Sequence, residues 1–177
     1  MKIIKLRRFV RILIALTLLL SGLFTVSCKS GRLIASDVVA EAVSAFDIQP
    51  PGIFYIFGAA EGDKGYLDAK TKSALFGRRD DEKNYSFEYL CDYALFVPAK
   101  QTAFEIDAFF VRNLENVEDI ENMCQKRIES LQSAAESFSA EDRIRLSEAE
   151  VFTCGRDVYL LITPDNALAK AVIKSFY

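Results

Sequence analysis

Glu88-Tyr89-Leu90-Cys91-Asp92-Tyr93-Ala94-Leu95-Phe96-Val97, the break Pro98-Ala99-Lys100-Gln101, and Ala103-Phe104-Glu105-Ile106-Asp107-Ala108-Phe109-Phe110-Val111-Arg112 decide the fold of this chain. Aromatic and branched residues dominate both arms, and a proline-led turn separates them, so the stretch reads as a β-hairpin. The pattern returns downstream. Glu150 to Cys154 is a strand, Gly155-Arg156 a turn, and Asp157 to Thr163 a second strand rich in Val, Tyr, Leu and Ile. Each hairpin leads into a helix. The first opens at Asn116, whose side chain is placed to cap it, with Glu118, Asp119 and Glu121 near the positive end of its dipole. Ile120, Cys124, Ile128, Leu131, Ala135 and Phe138 then step by three or four residues as one apolar stripe, which puts Cys124 in the core. The second helix starts at Pro164-Asp165-Asn166 and aligns Leu168, Val172 and Phe176.

The expected architecture is α+β: a four-stranded antiparallel sheet from two hairpin-helix units (ββαββα), with both repeat helices on one face. Identity between the halves is low, so the repeat is architectural. Phe109-Phe110-Val111 and Tyr159 to Ile162 make both faces of their strands apolar. Coverage of the second face by N-terminal helices is favoured over an exposed binding face. Two such helices are expected. One runs from Ser36 to Phe46, capped by Ser36, with Val39, Val43 and Phe46 sharing a side; the other runs from Leu67 to Phe76 and stops at Gly77. Ile53 to Phe57 reads as a short strand or a loop packed on the core. Glu61 to Gly65 is a turn, Arg78 to Asn84 an exposed charged loop, and Ser139 to Arg145 a polar connection.

The N-terminus carries a different signal. Lys2, Lys5, Arg7, Arg8 and Arg11 form a basic head with no acidic residue, and Ile12 to Val26 carry no charge. Small residues then lead into Phe24-Thr25-Val26-Ser27-Cys28. An apolar run of about 15 residues suits a signal h-region and falls short of the roughly 20 needed to span a bilayer. The layout resembles a bacterial lipoprotein signal. Ser27 and Val26 fit the lipobox, and Thr25 stands where leucine is usual. The expectation is residues 1–27 as signal peptide, 28–35 as a lipid-anchored tether on Cys28, and 36–177 as a single α+β domain. Ordinary secretion and an uncleaved anchor are the weaker alternatives.

Removal of 1–27 leaves 150 residues, enough for one sizeable core. Without the five basic residues of the leader, 17 basic residues face 25 acidic ones, a net charge of −8. That balance argues against nucleic acid as a partner and against electrostatic adhesion to anionic lipid. The chain has no histidine, which removes His-based metal sites, triads and Cys-His dyads. Cys91, Cys124 and Cys154 remain beside Cys28, with no CxxC spacing. They read as small buried hydrophobes, ahead of a Cys91–Cys154 disulfide or a reactive thiol.

No motif carries obvious chemistry. Glu118, Asp119 and Glu121 are explained by a helix start, and Glu148 with Glu150 by a solvated strand edge. Asp80, Asp81 and Glu82 lack the EF-hand pattern, and Gly58, Gly62 and Gly65 lack the phosphate-loop residues. The serines lack a nucleophile elbow. Phe54, Tyr55 and Phe57, beside Pro50-Pro51, are the candidate ligand or partner surface.

Leu67 to Phe176 resembles a family of small lipoproteins from Gram-positive bacteria that has no assigned activity. The resemblance rests on the order of elements, on Leu75-Phe76-Gly77, on Tyr93-Ala94-Leu95-Phe96-Val97-Pro98, and on Tyr159-Leu160-Leu161-Ile162-Thr163-Pro164-Asp165. It implies export and one domain, and adds no site residue. The function expected is a non-catalytic interaction module at the extracytoplasmic face of the cell membrane, docking an envelope protein through a sheet face or edge. The alternative is a small-molecule-binding accessory or sensor lipoprotein with a pocket that includes Tyr55, Tyr89 and Tyr93. An enzyme would have to work with carboxylates or with Cys91 or Cys154. No cofactor and no metal site is expected.

Overall fold

Strand alternation sets the architecture. The computed structural model describes residues 33–77 and 87–177, which belong to one compact unit. In chain order the elements are α1 (Ala35–Ser44), β1 (Gly52–Ile56), α2 (Ala69–Phe76), β2 (Leu90–Pro98), β3 (Glu105–Val111), α3 (Val117–Ser133), α4 (Ala140–Ser147), β4 (Glu150–Cys154), β5 (Asp157–Ile162) and α5 (Asn166–Lys174). All strand pairs are antiparallel, and the sheet order is β1-β2-β3-β5-β4. Both expected hairpins form, and they join through their second strands, with Ala108 opposite Tyr159.

The sheet has five strands rather than four. Gly52–Ile56 adds to the free side of β2, with Phe54 opposite Phe96 and their rings 4.9 Å apart. The strand starts on a glycine for a steric reason: a Cβ at Gly52 would lie 2.4 Å from Cζ of Phe96. Five strands at about 4.8 Å spacing make a sheet too wide for one helix of about 10 Å diameter. Each apolar face therefore takes more than one helix, and the two repeat helices separate instead of sharing a face.

Ile106, Ala108 and Phe110 of β3 pack with Ala94, Phe96, Tyr159 and Leu161 under α1 and α5. The alternate residues, Phe109 and Val111, join Leu95, Val158 and Leu160 under α2, α3 and α4. A two-fold axis normal to the sheet would relate the hairpins and keep both helices on one side. Their placement on opposite sides means that no such axis relates the two hairpin-helix units. The expected coverage of both faces is present, but the N-terminal helices do not share the second face: α1 lies with α5 on one side and α2 with α3 on the other.

Three local readings need correction. α1 is preceded by Ile34, and Ser36 lies inside the helix; the Ala35 N–H instead donates to Asp92 Oδ2 on β2 at 3.0 Å. Asn116 stands at the start of α3 but makes no capping bond, because a 3-10 turn over Leu114–Asn116 already leads into the helix. Residues 139–145 are not a plain connection: Ser139 caps α4 by accepting the Asp142 N–H at 3.1 Å. Two other helix starts follow the sequence. Asp68 caps α2 through Thr71, and Asp165 caps α5 through Leu168. Among the described residues, no helix is long and apolar enough to cross a membrane.

Candidate functional site

Two carboxylates on one face of the central strand define the site. Glu105 and Asp107 are two residues apart on β3, so both point under α3. Both are buried. Arg127 reaches them from α3, where it follows Cys124 by three residues along the inward face. Its guanidinium forms a two-pronged pair with Glu105, Nε to Oε1 at 3.0 Å and Nη2 to Oε2 at 2.8 Å. Nη1 also donates to the Leu75 carbonyl at 3.5 Å, which ties the pair to the end of α2. Burial opposes the charge on Arg127, but the Glu105 carboxylate outweighs it and raises the arginine further.

Asp107 has no such partner. No N–H or hydroxyl donor reaches either of its oxygens, its strand neighbours are Leu95 and Leu160, and its polar contact is with the Glu105 carboxylate. Burial and the adjacent Glu105 carboxylate push Asp107 well above the usual carboxylate range, against the pull of Arg127. The shift favours the protonated form of Asp107, so a net-neutral ion pair stands beside a carboxyl group that resists ionisation. Cys124 is fully buried next to this group. Burial first, then Asp107, Glu105 and Glu121, raises its thiol, so it is not a nucleophile.

The ion pair lies at the wall of a cavity of about 230 Å³ at the β2–β3 turn. Glu105 and Arg127 share its lining with Leu131, Phe138, Leu146 and Ile162, while Lys100 and Gln101 come from the turn. Asp142 fixes that turn. Its Oδ1 accepts the Ala103 N–H at 2.9 Å and the Thr102 hydroxyl at 3.2 Å, and its Oδ2 accepts from Ser139 at 2.8 Å. Burial alone would raise Asp142, but these donors, with Arg145, lower it below the ordinary value. A second, more open cavity of about 400 Å³ lies beside it, lined by Phe46, Ile48, Pro50, Phe104 and Pro164.

No protein-family model, no curated protein and no solved structure matches this chain. The site therefore stands on its own geometry.

The aromatic surface anticipated around β1 is divided. Phe54 packs against the α1–α5 side, Tyr55 against the α3 side, and Phe57 is half exposed with its edge on the Tyr93 ring at 5.7 Å. These three do not form one pocket wall. Tyr93 is buried against Phe57 and Phe87, and neither of these two cavities has a tyrosine in its lining. Cys91 and Cys154 are free. They stand two intervening strands apart, about 14 Å, which excludes a disulfide between them. Cys91 Sγ donates to the Phe110 carbonyl at 3.3 Å.

Glu150 pairs with Lys170 at 2.9 Å, and Glu121 accepts from Thr153, so each has a structural role. Among the described residues, no group of three or more Cys, Asp and Glu is arranged to hold a metal ion. Cys28 and the acidic group Asp80, Asp81 and Glu82 lie outside the described residues.

The central residues of the site escaped the sequence reading although a signal was present. Ala103 to Val111 is otherwise apolar on both faces, so carboxylates at 105 and 107 had to be buried. The Ser139-x-x-Asp142 spacing is a capping pattern.

Proposed function

We propose that this chain is a lipid-anchored extracytoplasmic binding module without catalytic turnover, tethered through Cys28 and binding at the Glu105–Arg127 cavity. The observation that carries the reading is the separation of the two ends of the sheet. The described chain begins beside Asp92, at the start of β2, while the cavity opens at Pro98 and beyond. The six strand steps from Asp92 to Pro98 place these points about 20 Å apart. The first described residues and the cavity thus lie at opposite ends of the sheet. Kinship with the small Gram-positive lipoproteins belongs to the same proposal.

Both sheet faces are covered by helices, which moves the docking role from a face to the cavity end. A buried ion pair on a cavity wall supplies a fixed donor and acceptor array, and the apolar lining supplies contact area. Glu105 is tied to Arg127, Asp107 does not line the cavity, and the chain has no histidine, which supports binding over proton transfer at this cavity.

The test is cross-linking in intact cells from a photoreactive residue at Lys100, with Cys28→Ala as the control. A discrete adduct that requires Cys28, and that disappears with Arg127→Met in a folded variant, supports the reading. Membrane-fraction protein that yields no adduct under any envelope condition contradicts it.

A further inference from the structure

We propose that the rim of the sheet opposite the cavity is a lipid-contact surface, which lies on the bilayer and sets the orientation of the domain. The proposal rests on the anchored reading above and extends it to a second, non-covalent contact.

The rim is traced by hydrogen bonds between neighbouring elements. Phe57 N–H donates to the Tyr93 carbonyl, Ala35 N–H to Asp92, Arg112 N–H to the Tyr89 carbonyl, and Arg156 Nη1 to the Arg112 carbonyl. At its far side the Tyr177 hydroxyl donates to Asp157 Oδ2 at 2.6 Å. These bonds place the first described residues, the end of β1, the end of β3, the β4–β5 turn and the C-terminal residue at one end of the sheet. That end exposes large apolar side chains from separate elements: Leu114 at 73%, Tyr177 at 58%, Phe57 at 52% and Ile34 at 47%.

None of these side chains is needed to fill the core, and a row of them from unconnected segments is what an interfacial contact requires. Two exposed arginines accompany them. Arg112 and Arg156 direct guanidinium nitrogens to backbone carbonyls of the rim, which fixes their charge at the level of the apolar side chains. Apolar residues with arginines beside them match acyl chains with phosphates above.

The occupant follows from the chain outside the described residues. Only four residues separate Cys28 from Leu33, five chain steps with a reach of at most about 18 Å. A lipid on Cys28 would therefore act closest to the end of the sheet where the described chain begins, beside Asp92, with the cavity end about 20 Å farther along β2. Ile48 and Ile144, exposed at the cavity end, lie a full strand length farther away.

The absence of tryptophan from the chain permits a direct test. Leu114→Trp and Phe57→Trp report from the rim, and Ile48→Trp and Ile144→Trp from the cavity end. Each is made in the full-length lipidated protein and placed in phosphatidylcholine vesicles with brominated acyl chains. Bromine quenching of about twofold or more at both rim positions, with none at the cavity end, is expected for side chains at the acyl boundary. Flotation of wild type and Cys28→Ala reads the anchor separately. If wild type floats through Cys28 but the rim reporters are quenched no more than those at the cavity end, the rim proposal is overturned and the anchor stands. If Cys28→Ala floats as well as wild type, or neither floats, the anchored reading falls and the rim proposal with it.

Discussion

The two ends of the sheet solve different problems with different residues. At the cavity end, charged groups are buried and tied down: Arg127 to Glu105, Asp142 to the Thr102–Ala103 backbone and side chain, Arg145 to Asp142. At the opposite rim, apolar side chains are left in solvent. Burial of charge costs several kcal/mol per ion unless geometry repays it, and exposed leucine contributes little to folding. Each end thus carries residues that folding alone does not favour. That is where binding is to be sought, and the contrast gives the expected mutational effects.

The largest effect is expected for Arg127→Met. It leaves Glu105 buried without its partner, beside Asp107, and should cost about 3–5 kcal/mol. Urea unfolding at pH 7 reads it, and a loss under about 1 kcal/mol would mean that the pair is solvated and the cavity is not a built site. The double variant Arg127→Met, Glu105→Leu should recover most of the loss, since an apolar replacement of a buried pair is often neutral. Next is Asp142→Ala, which strands the Ala103 N–H and uncouples the turn from α4. A loss of about 1–3 kcal/mol is expected. Asp142 is lowered in the folded state, so its contribution is present at neutral pH and is lost as pH falls through and below the ordinary carboxylate range, about 4.

Asp107 has the opposite sign. Its folded-state value lies well above the unfolded one, so the folded protein holds a proton that the unfolded chain releases above about pH 4. Its contribution is complete below that value and declines as pH rises toward the folded value. Asp107→Asn should remove this decline. Relative to wild type, the variant should gain stability as pH rises above about 4, read as a rising difference in urea midpoint. A flat difference would show that Asp107 is ionised and partnered after all.

The smallest effect is expected at the rim. Leu114→Ser and Ile34→Ser should change stability by no more than about 0.5 kcal/mol, as exposed substitutions do. A cost of several kcal/mol at either would make the rim part of the core and end its claim to be a contact surface.

The sequence revealed one half of this contrast better than the other. Both hairpins, α3 with its buried Cys124, and the starts of α2 and α5 follow from periodicity and local chemistry. β1 stayed ambiguous because five residues of GIFYI satisfy a strand or a packed loop equally, and only pairing with β2 decides. The opposite placement of α3 and α5 depends on the width of the sheet, which no local pattern encodes. The cavity was hidden for the same reason. Arg127 looked like one more charge on a long helix, and only the crossing of α3 over β3 brings it to Glu105. The rim was hidden because Ile34, Phe57, Leu114 and Tyr177 span more than 140 positions and meet only through the fold.

The measurement closest to the centre of this account is the intact mass of the protein extracted from the membranes of an expressing bacterium. The account predicts a chain that begins at Cys28 and carries a diacylglycerol on that residue, with Cys28→Ala lacking both the lipid and the membrane association. A mature chain that begins after Ser27 with no lipid, or an uncleaved chain that begins at Met1, would contradict it.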